Sequence, residues 1–271
     1  MRTHLSSMHE VKTHENDLLL IIDVQRDFTY GSLENLSAIK RIPGIIQFIK
    51  EFKGRKIATK DTHYVDYLQT QEGINLPVPH TQKGTPGHDI VTPVERAMKE
   101  RHENGAPVDW AIIEKNTFGS IHGDPLSLTY AITEHHYDNI YILGFCTGIC
   151  VISNAVIAKA ADPEARIHVL EPLCACVTKA SHDTAISAME MLQMNIIDWP
   201  EEDRGYGIIK SNKLTLVIGS DPNKALSAAK SDGIETIPIE DLPANLPDTH
   251  KKGFWVRTDS CWKRLREIAR A

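Results

Sequence analysis

The sequence predicts an α/β fold, a parallel sheet flanked by helices on both faces, followed by a small α/β appendage. Three observations lead there. Short unbroken apolar runs, at residues 18–22 (LLLII) and 140–143 (IYIL), suit strands covered on both faces. Segments of helical periodicity alternate with such runs as far as residue 200. Polar groups able to do chemistry stand just after successive runs, where open parallel sheets bind their ligands.

With 271 residues, 41% hydrophobic and 24% charged, the chain has ample material for one large core plus an appendage. A net charge of −6 and the lack of a basic run argue against nucleic acid as a partner. The apolar run 18–22 is too short for a signal peptide or a membrane span, so the cytoplasm is the expected compartment. Cysteines 146, 150, 174, 176 and 261 form neither an even disulfide framework nor a CxxC pair.

Residues 1–16 are polar, carry His4, His9 and His14, and read as a frayed or loosely docked tail. The run 18–22 is a central strand, and Asp23 follows it directly, at the place for chemistry or for a helix cap. Residues 45–52 read as a helix and 56–59 as the second strand. Asp61 and His63 come next, on one face of an extended segment, and His80 follows within Pro77-Val-Pro-His80. One carboxylate and two imidazoles suit Zn²⁺, Fe²⁺ or Mn²⁺ with positions left for water or substrate, although an Asp-x-His pair is also common on surfaces. Residues 83–87 form a turn without the Gly-Lys-Ser/Thr ending of a phosphate loop.

Residues 93–102 read as a helix and 110–113 as a third strand, with Glu114 and Lys115 at its end. After the strand 140–143, Gly144 breaks the run and Cys150 opens a helix. Unpaired N–H groups and the positive end of the helix dipole stabilise a thiolate there, whereas a free cysteine elsewhere is commonly an inert core residue. Residues 167–170 and 195–197 are the last strands of the core, with a helix at 182–191 between them. The expected divisions are a tail at 1–16, a main domain at 17–211 and an appendage at 212–271. In the appendage 214–218 and 234–239 read as strands and 223–230 as a helix.

Six pieces in one order carry a resemblance: IIDVQRDF at 21–28, ATKDTH at 58–63, PVPHTQKGTPG at 77–87, EKNTFGS at 114–120, ILGFCTGICV at 142–151 and EPLCACVTKASHDTAISAMEML at 171–192. Together the segment from about 17 to 200 resembles the cysteine hydrolases of the nicotinamidase and isochorismatase-like superfamily, and more its nicotinamidase branch. The resemblance implies the isochorismatase-like hydrolase fold and a catalytic triad of Asp23, Lys115 and Cys150. An ammonium at Lys115 would lower the thiol pKa of Cys150, and Asp23 would carry the proton to the leaving amine. It further implies an oxyanion hole from the backbone N–H groups of Cys146 and Cys150, a cis peptide before Cys146, and substrate contacts from Phe28 and Gln25. Asp61, His63 and His80, with Glu72 as a fourth candidate, would hold a divalent metal, zinc before iron or manganese.

The implied reaction is deamidation of nicotinamide through a cysteine thioester, in pyridine nucleotide salvage, by a homo-oligomer. Three departures bear on the substrate: Thr62 and Tyr64 replace a Trp and a Pro frequent around the first ligand pair, Pro77 stands where an aromatic residue often does, and Thr81 where Cys is frequent. The alternatives are a metal-independent amidase or isochorismatase-like hydrolase, a non-catalytic binding protein using 212–271 as its partner surface, and a metal-dependent oxidoreductase. The last lacks a dinucleotide fingerprint and leaves Cys150 and Lys115 without a role.

Overall fold

The computed structural model describes residues 1–101, 105, 107–123 and 127–200 in full, and beyond them the backbone of four short strands. Residues 1–201 form one compact unit and 202–271 a second. In the first unit the strands are β1 (Arg2–His4), β2 (Asp17–Ile22), β3 (Arg55–Asp61), β4 (Trp110–Lys115), β5 (Asn139–Phe145), β6 (Arg166–Ala175) and β7 (Asn195–Asp198). The helices are α1 (Leu36–Glu51), α2 (Gln71–Asn75), α3 (Thr92–Lys99), α4 (Leu128–Thr133), α5 (Ile152–Ala161) and α6 (Lys179–Met191).

The sheet is parallel throughout, in the order β1-β7-β6-β5-β2-β3-β4. From β2 the chain builds outward through β3 to β4, then returns to β5 on the other side of β2 and builds outward again. The direction of winding therefore switches between β2 and β5, and the crevice at their carboxyl ends is where such sheets place a ligand. All six residues of β2 are buried, as its unbroken apolar run requires. Leu18, Leu20 and Ile22 belong to one core with Leu128, Ile132, Ala155, Ala158, Ile186 and Met189 of α4, α5 and α6. Leu19 and Ile21 point to the opposite face by strand alternation. Helix α1, in contact there with β5, β6 and α3, buries Ile39, Ile42, Ile45 and Phe48.

Helix α1 begins nine residues before the expected start at 45. Asn35 caps it, accepting from the N–H groups of Ser37 (2.9 Å) and Ala38 (3.3 Å). Pro43-Gly44 reads as a break, yet the helix carries Pro43 inside it. Gly44 has its own reason: a Cβ there would come within 2.9 Å of Leu173 Cδ2 on β6. Gly144, at φ 125°, lets β5 approach β2 so closely that a Cβ would lie 2.1 Å from the Ile22 carbonyl oxygen.

The expectation of a frayed N-terminal tail is corrected. Arg2, Thr3 and His4 pair in register with Ile196, Ile197 and Asp198, making β1 an edge strand. Thr3 Oγ1 also donates to Asn195 Oδ1 at 3.0 Å. Backbone pairing needs no apolar pattern, and a three-residue polar segment offers none to read. In the second unit, β8 (Gly207–Lys210) and β9 (Thr215–Ile218) are antiparallel, while β11 (Gly253–Trp255) runs parallel to both β9 and β10 (Thr236–Ile237). The β8–β9 pairing spans position 211, where the sequence placed a domain boundary, and the division between units falls at 201/202. The helix expected at 223–230 lies outside the described residues.

Candidate active site and metal centre

Four strand ends deliver the site. Asp23 follows β2, Asp61 ends β3, Lys115 ends β4, and Cys150 lies in a π-helical turn, Thr147–Val151, between β5 and α5. Cys150 thus precedes the α-helix proper, which starts at Ile152. The peptide bond Phe145–Cys146 is cis. Asp23 takes a left-handed backbone conformation, φ 48°, as it leaves the sheet.

Lys115 Nζ lies 2.7 Å from Asp23 Oδ2, 3.7 Å from Cys150 Sγ and 3.7 Å from Asp61 Oδ1. The Lys115 and Asp23 side chains are fully buried. Thr59 Oγ1 donates to Asp23 Oδ1 at 2.6 Å and accepts from the Asp23 N–H at 3.2 Å, fixing the carboxylate. Burial favours a neutral Lys115, but Asp23, Cys150 and Asp61 around it win and hold it as an ammonium. Burial pushes the Cys150 thiol well above its usual range, with Asp23 and Asp61 adding to the rise and Lys115 pulling down. Lys115 pulls the thiol down as expected beside an ammonium, but desolvation of the buried sulfur counts for more than this one positive neighbour. Burial also raises Asp23 against the pull of Lys115, which suits a carboxylate that must receive a proton.

Beside this group Asp61, His63, Glu72 and His80 offer ligand atoms that all lie within 4.8 Å of one another. His63 Nε2 is 3.1 Å from Asp61 Oδ2 and 3.4 Å from Glu72 Oε1; His80 Nε2 is 3.4 and 3.8 Å from the same two atoms. His63 Nε2 is buried with no hydrogen-bond partner, an orphan that a metal would satisfy. His80 Nδ1 donates to the Val78 carbonyl at 2.8 Å, so its Nε2 lone pair faces the cluster. Two nitrogens and two carboxylates at this spacing fit a divalent cation. Short helix α2, capped by Thr70, brings in Glu72; the lack of a Cβ on Gly73 lets that helix close on the Tyr67 carbonyl.

Phe28 stands edge-on to His80, ring centroids 5.6 Å apart, and remains partly exposed beside the cluster. Gln25, expected to touch substrate, does something else. Its Nε2 donates to the carbonyls of Asp61 (2.8 Å) and His88 (2.9 Å), and its Oε1 accepts from the Asp61 N–H at 2.8 Å. With its amide spent on backbone, Gln25 positions Asp61.

Three further residues escaped the sequence reading. Thr81, noted only as a departure, donates from Oγ1 to Asp61 Oδ2 at 2.9 Å. Thr59 orients Asp23, as described. Asn154 is fully buried and ties Cys150 to the segment after Lys115: Nδ2 donates to the carbonyls of Cys150 (2.7 Å) and Phe118 (3.0 Å), and Oδ1 accepts from the Ser120 N–H (2.9 Å). An asparagine one turn after the cysteine, in a largely apolar helix, was the available signal.

Solved structures resemble about two thirds of the chain. A pyrazinamidase of Pyrococcus horikoshii in complex with zinc shares 22% identity, covers 68% of this chain and 99% of its own, and has a TM-score of 0.55. The nicotinamidase of Bacillus subtilis gives 21%, 68%, 99% and 0.56, and the N-carbamoylsarcosine amidase of Thermoplasma acidophilum 19%, 69%, 97% and 0.51. Among curated proteins no sequence matches this chain significantly. The family model of the isochorismatase domain matches residues 17–201, from the first residue of β2 to the end of the first compact unit. The chain belongs to the isochorismatase-like hydrolase family.

Proposed function

We propose that the chain hydrolyses a small heteroaromatic carboxamide, nicotinamide in the first instance, to the acid and ammonia. The observation that carries this reading is Asp61, whose two oxygens join the Asp23–Lys115–Cys150 group to the metal-ligand cluster: Oδ1 lies 3.7 Å from Lys115 Nζ and Oδ2 3.1 Å from His63 Nε2. A nucleophile and a metal-ligand set this close suit one small substrate held at both ends. Zinc fits the donor set Asp61, His63, Glu72 and His80, and when bound would supply a Lewis acid for a ring nitrogen or a water.

The chain's own residues account for the remaining steps. Asp23 takes the proton from Cys150 Sγ as the sulfur attacks the amide carbonyl, and Lys115 stabilises the negative charge passing between them. Backbone N–H groups of Cys146 and Cys150 face the developing oxyanion. Asp23 returns the proton to the departing ammonia, and water then cleaves the thioester with Asp23 again as base. Phe28 offers a ring face to the heterocycle.

Ammonia release from nicotinamide by wild type, with none from Cys150→Ala and a transient acyl adduct by intact-protein mass, is the expected result. Undiminished release from Cys150→Ala would overturn the covalent route. Pro77, in place of a ring-packing aromatic, favours a second reading in which the amide is larger or non-aromatic. Pyrazinamide and an N-carbamoyl amino acid assayed beside nicotinamide separate the two.

A further inference from the structure

Beside the nucleophile stands a second pair of thiols that the hydrolytic reaction does not use. Strands β5 and β6 pair Gly144 with Cys174 and Phe145 with Ala175, so Cys146 and Cys176 are the residues that directly follow the ends of two adjacent strands. Strand spacing of about 5 Å lies within the range a disulfide spans. Two donors converge on the Cys176 sulfur, the Gly148 N–H at 3.4 Å and Ser181 Oγ at 3.4 Å, which sets it against the turn that Cys146 opens. Cys176 also lies just before α6, whose capping box of Thr178 and Ser181 leaves the sulfur near the positive end of a thirteen-residue helix. All four cysteines of the first unit are free thiols.

We propose that Cys146 and Cys176 form an oxidation-sensitive dithiol, with Cys176 the site attacked by a hydroperoxide and Cys146 the resolving thiol. The Cys176 thiolate attacks one oxygen of hydrogen peroxide, releasing hydroxide and leaving a sulfenic acid. The Cys146 thiol then displaces that hydroxyl as water, and the disulfide forms. Two thiols are oxidised by two electrons and one peroxide is reduced to two waters. Chemistry of the separate groups supports the division of labour. The neighbouring Cys146, Ser181 and the Gly148 and Val177 N–H groups outweigh burial and hold the Cys176 thiol down at about 5, whereas Cys146 is pushed up beside Cys176 and by burial. Cys146 is partly exposed and Val177, next to Cys176, is 73% exposed, so the pair sits just beneath the surface. Cys174, buried in β6 and pushed up by burial to about 12, is the unreactive neighbour.

The test uses the full chain carrying Cys150→Ala, which silences the nucleophile. After brief exposure to hydrogen peroxide, tryptic peptides 116–159 and 167–179 should be recovered as one cross-linked species, with fragmentation placing the link on Cys176. Dithiothreitol should release them. In a Cys146→Ser version of the same protein, Cys176 should stop as a sulfenic acid that dimedone traps. Cross-linking through Cys174 would overturn the proposal. So would peroxide leaving Cys176 reduced in both proteins, with circular dichroism showing both folded.

Discussion

Lys115 carries more of the site than any other single side chain. Its ammonium faces two buried carboxylates and a sulfur, and removing the charge strands both acids in a dry interior. Lys115→Met should lower the unfolding free energy by about 3–5 kcal/mol, read by urea denaturation of metal-free protein. A loss within experimental error would show that the carboxylates are relieved by water or by protonation. Gln25 acts differently. Gln25→Leu leaves the Asp61 N–H and two carbonyls unpaired, and should weaken metal binding by about 10–100-fold in chelator competition. If Gln25 touched substrate instead, KM would rise and metal affinity would stay. Asp61, His63 and His80 were suggested by residue type and spacing, whereas Asp23, Lys115, Cys150 and Glu72 took their roles from the resemblance of six ordered pieces. Thr59, Thr81 and Asn154 were not legible, since hydroxyls and amides that orient other groups look like any buried polar residue until their partners are known.

Among the elements, strands were easier to read than helices. Apolar runs marked β2 to β5 and β7 to within two residues, because strands covered on both faces tolerate few polar residues, while β6 continues five residues past its expected end at 170. Helix α1 was cut short at Pro43-Gly44, where helix-breaking residues masked a segment that β6 and α3 hold in place. Helix α2 has five residues and a glycine, too little for any periodicity to show. A polar network at the other end of the sheet gives a prediction of its own. His168 Nε2 donates to Asn139 Oδ1, His168 Nδ1 accepts from Asn195 Nδ2, and Asn139 donates onward to Asp17. That pattern needs a neutral imidazole, which stacks on Tyr141 at 4.8 Å. Burial lowers His168 from 6.5 to about 4. A folded pKa below the unfolded one means the unfolded chain gains the proton first. Stability from this group is therefore full above about pH 6.5 and is lost as pH falls toward 4, by at most about 3 kcal/mol. Urea midpoints of wild type should drop between pH 7 and pH 4.5 more than those of His168→Gln. Parallel curves would remove His168 from the account.

For the molecule as a whole, winding order decides where the site is. Because β2 and β5 are neighbours and the chain leaves them in opposite directions, Asp23 and the Cys150 turn meet at one crevice, with β3 and β4 supplying Asp61 and Lys115. The alternation of strand and helix showed the layers in the sequence; it could not show the order of strands, which rests on contacts between segments far apart in the chain. Among the described residues no helix is long and apolar enough to cross a membrane. Removing residues 1–7 would uncover the outer edge of β7, and the shortened protein should scatter more light on warming than the full chain. Equal scattering would mean that β7 is shielded in another way.

The pairing of β1 with β7 also puts a clock on folding. Its partners are 194 positions apart, Arg2 beside Ile196, so β1, once made, cannot find its place until nearly two hundred residues have followed. Until β7 exists β1 has no partner strand, so this edge of the sheet waits for the last strand of the first unit to be made.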